Sequence, residues 1–277
     1  MRATHDVSAL RQMLAGLEAE RLPGASSAFS LGAAGPDGVL ANTLARGALH
    51  EIYAAEGADM PAASGFALAL ALRAAQDEAR PQNRPIVWVR QDFLDSEAGR
   101  LDAHGLRGFG LDPSRLILVR ARDPEQALRA AGDAARCSAI EAVLLEPWGE
   151  PKMLDLTATR RLALRAGVSG VTFFLLRMAE KPSASVAVTR WLVRPILSTP
   201  LAADAPGAPA FAVTLLRHRG GLHGHAWNLE WDHESCSFRD IAPLSRAVVP
   251  VPAGKPARQD AAAQEATGDV RPFRRTG

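Results

Sequence analysis

The sequence predicts an α/β fold: a central, mostly parallel sheet flanked by helices, with antiparallel edge strands at its C-terminal side. Three observations carry this. Residues 49–75 read as strand, loop and helix; residues 85–176 alternate short β-branched runs with helical stretches; beyond Arg177, strand-like pieces follow one another with no helix between them. Alternation of the first kind predicts parallel strands with right-handed crossovers, and direct succession of strands predicts antiparallel pairing.

Composition sets the bounds. With 277 residues, 47% of them hydrophobic, the chain can bury one substantial core plus flanking segments. A net charge of +2 argues against a globally basic nucleic-acid binder, so contact with DNA has to come from a local patch. Cys137 and Cys236 form no Cys-x-x-Cys pair, which suits a reducing compartment and predicts no disulfide. No apolar run approaches the length of a membrane span, and the opening MRATHDVSALRQML lacks a signal core. A soluble, cytoplasmic protein without membrane contact is therefore expected. Its organisation reads as an amphipathic helix within 1–24, a core domain at 25–247 and a disordered tail at 248–277.

Leu10, Met13, Leu14 and Leu17 recur at helical spacing between Val7 and Leu22, with Arg11, Glu18, Glu20 and Arg21 off the stripe. Such a helix either packs on the domain edge or serves as a partner-binding arm. Residues 23–46 are rich in Gly, Pro, Ser and Asp and read as a loop with short strands around Phe29 and Val39. Next, Ile52, Tyr53 and Ala54 lead into a Gly57 to Gly65 loop and an Ala/Leu-rich helix. That is the order of a phosphate-binding loop, which requires Gly-x-x-x-x-Gly-Lys-Ser/Thr so that backbone N–H groups, a cation and a hydroxyl meet triphosphate and Mg²⁺. Here Phe66 and Ala67 follow Gly65, so tight ATP binding is not expected.

PIVWVR (85–90) reads as a buried strand followed by Asp92, Asp95 and Glu97. Acids just past a strand's carboxyl end suit a functional site; Asp95 as a helix cap and Glu97 as a dipole partner are the plainer alternative. RLILVR (115–120) is the next strand, and Asp123-Pro124-Glu125-Gln126 opens a helix with an N-cap, a Pro at the first position and a capping-box Gln. IEAVLL (140–145) is a strand ending at Glu146, where an NTPase of this class carries its metal-binding acid. DLTATRRLALRA (155–166) follows as a helix closed by Gly167, then VTFFLL (171–176) as a strand. Strand-like pieces at 188–193, 211–216 and 226–231 suit antiparallel edges. In the tail, Phe273 flanked by Arg271, Arg274 and Arg275 suits a docking peptide or a plain basic tip.

Two rival constellations stand beside these. His223, His225, His233 and Cys236 lie within one short segment, but their spacing fits no common zinc template. Arg190, Arg194, Arg217 and Arg219, with Trp191 and Trp227, are of the types that grip phosphate and stack bases. Alternatively, the tryptophans fill the core side of edge strands and the arginines face solvent.

Taken in order, LHEIY (49–53), WVR (88–90), GLDPSRL (110–116), EQAL (125–128), LDLTATRRL (154–162), TRW (189–191), RGG (219–221) and LEWD (229–232) resemble the ImuA family, relatives of the RecA recombinase core. The resemblance covers roughly residues 8–245 and implies a RecA-like P-loop-type core. It further implies a bacterial SOS-induced accessory factor of error-prone translesion synthesis. Partners implied are an ImuB-type, Y-family-like protein and an error-prone replicative-type polymerase subunit, with room for RecA, single-stranded DNA and self-association. On this resemblance Phe66 and Ala67 stand where Lys and Thr are required, Asp92 where a water-activating Glu stands, Glu146 at the metal-binding acid, and Arg177 at a polar nucleotide sensor. The degenerate nucleotide site (Gly57, Gly65, Phe66, Ala67, Asp92, Glu146) would then hold neither ATP nor Mg²⁺, leaving a non-catalytic adaptor. Its partners would be met by Leu10, Leu14, Leu17, Phe273, Arg274 and Arg275. A DNA-stimulated ATPase and a single-stranded DNA-binding module are the alternatives.

Overall fold

The computed structural model describes residues 28–41, 44–76, 81, 83–178 and 184–241. The expected helix at 7–22, the expected tail from 248, and Leu10, Leu14, Leu17, Phe273, Arg274 and Arg275 lie outside the described residues. Among the described residues, no helix is long and apolar enough to cross a membrane.

The strands are β1 (Ala28–Phe29), β2 (Leu44–Ala45), β3 (Leu49–Ala54), β4 (Ile86–Gln91), β5 (Leu116–Ala121), β6 (Ala142–Glu146), β7 (Thr172–Met178), β8 (Thr189–Pro195), β9 (Ala210–His218), β10 (His225–Asp232) and β11 (Ser237–Asp240). The α-helices are α1 (Ala34–Leu40), α2 (Met60–Ala75), α3 (Leu94–Glu97), α4 (Ala103–Gly108), α5 (Pro124–Ala134) and α6 (Leu156–Ser169). β1 and β2 form a small ribbon; the other strands make one nine-stranded sheet in the order β11-β10-β9-β8-β3-β7-β6-β4-β5. From β5 to β8 all neighbours are parallel, and β9, β10 and β11 continue the sheet antiparallel.

Alternation along each central strand sends side chains to two cores. Ile52, Trp88, Leu144, Phe174 and Leu176 face α2, whereas Leu49, Val89, Leu145, Phe173 and Leu175 share a cluster with Ala127 and Ala131 of α5 and Leu162 and Ala166 of α6. Six of the residues of α2 at 63, 67, 69, 71, 74 and 75 are buried alanines, which combine the highest helix propensity with close approach to the sheet. Phe66 of α2 reaches the antiparallel half, with ring centroids 5.7 Å from Trp191, 5.9 Å from Phe211 and 5.3 Å from Phe238. Truncating that ring to a methyl group would cost about 3–5 kcal/mol.

Four expectations change. β8 is not antiparallel to the core: it pairs parallel with β3 and antiparallel with β9. β7 and β8 lie on either side of β3, so strands that follow one another in sequence need not form a hairpin. Val39 lies in α1 rather than a strand, because Asp37 turns the chain by accepting from Leu31 N at 2.7 Å and Gly32 N at 2.8 Å. Helix α6 runs through Gly167 and closes at Gly170, whose φ of 75° suits a residue without Cβ. β11 was not expected at all; four residues with one buried side chain, Phe238, carry little periodicity.

Candidate functional site

The strand–loop–helix unit folds differently from the sequence reading. After β3 ends at Ala54, a 3₁₀ turn spans Gly57–Asp59 and α2 starts at Met60. Gly65, Phe66 and Ala67 are therefore in the second and third turns of a helix, not at the end of a loop. Phe66 points into the aromatic core and closes no phosphate pocket. Counted from the end of β3, the window matching a phosphate loop is Ala54–Pro61, with Asp59, Met60 and Pro61 where the second Gly, the Lys and the hydroxyl residue would open the helix. Met60 is fully buried, and Asp59 occupies the N-cap without a side-chain capping bond. A carboxylate thus stands at the positive end of the α2 dipole, where an anion would otherwise be favoured.

Glu146, the last residue of β6, is buried on the α2 face. Its Oε1 accepts from Ser64 Oγ at 3.0 Å, and its Oε2 accepts from Trp88 Nε1 at 2.9 Å and Arg90 Nε at 3.0 Å. Burial pushes the carboxyl above its ordinary range, while the Arg90 guanidinium and these hydrogen bonds pull it back. Arg90 continues outward: Nη1 meets Asp95 Oδ1 at 3.0 Å and donates to the Gly99 carbonyl at 2.6 Å. Arg120 then bridges Asp95 at 2.7 Å and Asp92 at 3.1 Å. The result is a chain of alternating charge, Glu146, Arg90, Asp95, Arg120, Asp92, across the carboxyl ends of β6, β4 and β5. Asp95 is a bridge within it rather than the cap of α3, whose N-cap is Phe93. A cleft of about 280 Å³ opens over it, lined by Ser64, Leu68, Arg90, Arg100, Phe109 and Glu146 among others.

Sequence reasoning found Asp92 and Glu146 but missed Ser64, Trp88 and Arg90 as partners of Glu146 and Arg120 as the partner of Asp92. The available signal was Arg90 itself: an arginine in a strand buried on both faces requires a carboxylate.

Arg177 lies on the opposite face from Glu146. It pairs with Glu51 Oε1 at 3.0 Å, and Arg190 Nε meets Glu51 Oε2 at 2.9 Å. Ser185 Oγ donates to the same carboxylate at 2.7 Å and Tyr53 OH at 3.3 Å. Arg177, which the resemblance sets at a polar sensor, is thus engaged in a buried ion pair. Burial, helped by the adjacent Glu51 charge, pushes the Tyr53 hydroxyl up to about 12.

The expected DNA-contacting arginines do not form one patch. Arg190 is buried against Glu51; Arg217, exposed, is its Cα partner across β8 and β9 and donates to Ser185 O at 3.3 Å. Arg219 is exposed just beyond, and Arg194 is exposed four residues further along β8, about 13 Å away. Trp191 is fully buried, whereas Trp227 is partly exposed and stacks on His225 at 5.8 Å. His223 and His225 sit at the start of β10, and His233 and Cys236 beyond its other end, about 26 Å along the strand, too far to share an ion. Among the described residues no group of three or more His, Cys, Asp or Glu is placed to hold a metal.

No protein-family model matches the chain. Over 174 residues it is 34% identical to Protein ImuA from two strains of Caulobacter vibrioides, covering 58% of this chain and 67% of each relative. The crystal structure of the RadB recombinase superposes with a TM-score of 0.50 at 16% identity, covering 77% of this chain and all of that one, which fits the parallel core described above. At this identity and coverage of its relatives, the chain belongs to the ImuA family.

Proposed function

We propose that the chain is a non-catalytic, RecA-like adaptor of an error-prone translesion synthesis complex in the cytoplasm. It would bring an ImuB-type, Y-family-like protein together with an error-prone polymerase subunit. The observation that carries this is the occupation of Glu146: a buried arginine, an indole N–H and a hydroxyl already satisfy both carboxylate oxygens. A metal-bound triphosphate would have to displace Arg90, and the start of α2 offers Asp59, Met60 and Pro61 in place of a glycine, a cation and a hydroxyl. Phosphoryl transfer depends on positioning and charge stabilisation, so a site of this composition is read as inactive. Scaffolding is the use that remains for such a core, through Leu10, Leu14, Leu17 and Phe273 to Arg275 as the proposed contacts.

Calorimetric titration of the purified protein with Mg·ATP is expected to give no saturable heat at millimolar ligand. Saturable binding that disappears in Glu146→Gln would instead support the ATPase reading. In parallel, a pull-down with the ImuB-type partner is expected to lose the complex when residues 250–277 and 1–24 are removed together; retention would place the contact on the core.

A further inference from the structure

Helix α6 turns one side to the sheet and carries an apolar strip on the other. Leu156, Leu164 and Val168 recur at multiples of four residues and are 49%, 54% and 81% exposed. Two grooves share Leu164 as a wall. One, of about 240 Å³, runs over Ala163 to Ala45, Leu49 and Val188 at the amino-terminal end of the parallel strands. The other, of about 260 Å³, lies between Leu164, Val168 and Arg136. Both are smaller than the roughly 300–1,000 Å³ of a small-molecule site and suit single side chains instead. Charge then narrows the occupant. Arg160 and Arg219 edge the first groove, Arg136 and Arg165 the second, and Arg161 follows Arg160 on the helix. None of the five is ion-paired to a carboxylate among the described residues. Of the acids on α5 and at the start of α6, Asp155 caps its helix at 2.8 Å and Glu125 pairs with Arg129 at 3.1 Å, which leaves Asp133 against these guanidinium groups.

We propose that this face docks an acidic, amphipathic helix of another protein, with apolar side chains in the two grooves and Asp or Glu set against the arginines. Leu156 and Val168 lie about 18 Å apart along α6, so three to four turns of such a helix cover the strip. Other occupants match these features less well. A second copy meeting its twin across a two-fold axis would set arginine against arginine. Single-stranded nucleic acid takes aromatic stacking platforms, and no aromatic residue lines either groove. A lipid surface is met by an apolar face that sinks into it, not by recesses that receive side chains. The inference goes beyond the adaptor reading, whose contacts lie in the terminal segments, and its test needs neither ATP nor the ImuB-type partner.

The probe is a labelled helical peptide of about 16 residues with a stripe of Leu at helical spacing and Glu on its flanks. Titrated with the full chain, it is expected to give a saturable rise in fluorescence anisotropy that weakens with added salt. Leu164→Glu is expected to weaken binding about tenfold or more, at an unchanged urea midpoint because the side chain is exposed. A charge swap gives a second reading: the chain with Arg160→Glu and Arg161→Glu should prefer a Lys/Leu peptide of the same pattern over the Glu/Leu one. No saturable binding, equal binding of a scrambled Glu/Leu peptide that lacks the stripe, or binding indifferent to Leu164→Glu would overturn the proposal. So would an unaltered preference for the Glu/Leu peptide in the charge-swapped chain. Displacement of the peptide by phosphatidylglycerol vesicles or oligo-dT, bound more tightly than the peptide and lost in Leu164→Glu, would overturn it in favour of a lipid or nucleic-acid surface.

Discussion

Glu51 and Glu146 are both buried carboxylates on one sheet, and they differ in what surrounds them. Glu51 sits mid-strand in β3 with two arginines, Arg177 from β7 and Arg190 from β8, plus Ser185 and Tyr53. It ties three neighbouring strands together and is shielded on every side. Glu146 ends its strand, holds one arginine, and passes that arginine on to Asp95 and an exposed ion pair at Arg120 and Asp92. The first arrangement is a closed structural lock. The second stands where the resemblance expects a nucleotide site but is bonded as a lock, so an acid in the expected place says little about chemistry until its partners are known.

The sharpest way to break this comparison is Glu51→Leu, which leaves two guanidinium groups buried without their common acceptor. Removing one member of a buried ion network costs about 3–5 kcal/mol, and urea denaturation should read a loss of that size. A loss below about 1 kcal/mol would mean that the arginines find water or other acceptors, against their burial.

At the second carboxylate, Arg90→Met should cost about 3 kcal/mol because Glu146 is left buried with only Ser64 and Trp88 to meet it. Adding Glu146→Met should recover more than half of that loss, since removing both charges is far milder than stranding one. If the double variant is as unstable as the sum of the singles, measured as a double-mutant cycle, the two residues are not coupled.

His50 gives a pH handle on the same core. Its Nε2 donates to Ala45 O at 2.9 Å and its Nδ1 accepts from Thr189 Oγ1 at 2.8 Å, which defines a neutral ring. Burial, with the nearby His218 adding to it, pulls its pKa from 6.5 down to about 4. The folded state therefore refuses a proton that the unfolded chain accepts. Stability from this group is complete above pH 6.5 and is lost as pH falls towards 4, by roughly 3 kcal/mol in all. Denaturation midpoints between pH 7 and 4 should show this slope, and His50→Gln should flatten it.

How far the sequence reached follows the same physics. The central strands and helices α5 and α6 were legible because burial on both faces forces continuous apolar runs, and because Asp123 and Asp155 cap their helices, with bonds of 2.8 Å each. The start of α2 was not legible. Gly65 looks like the end of a loop, yet an alanine-rich stretch tolerates one glycine and the helix begins five residues earlier. Arg90 was missed because its role depends on β4 and β6 becoming neighbours, which only the crossover topology brings about, and Ser64 because its partner at the end of β6 lies 82 residues further along the chain.

Ser64 offers the smallest and most specific effect. Ser64→Ala removes one of three donors from Glu146 and leaves the Arg90 pair in place, so it should cost only about 1 kcal/mol. In an Arg90→Met background the same change should cost more, because Ser64 and Trp88 then carry the carboxylate alone. Equal costs in both backgrounds would mean that hydroxyl and guanidinium act independently. A larger cost with Arg90 absent would place both in one network around the acid, with the arginine standing where a metal-binding site would need open coordination.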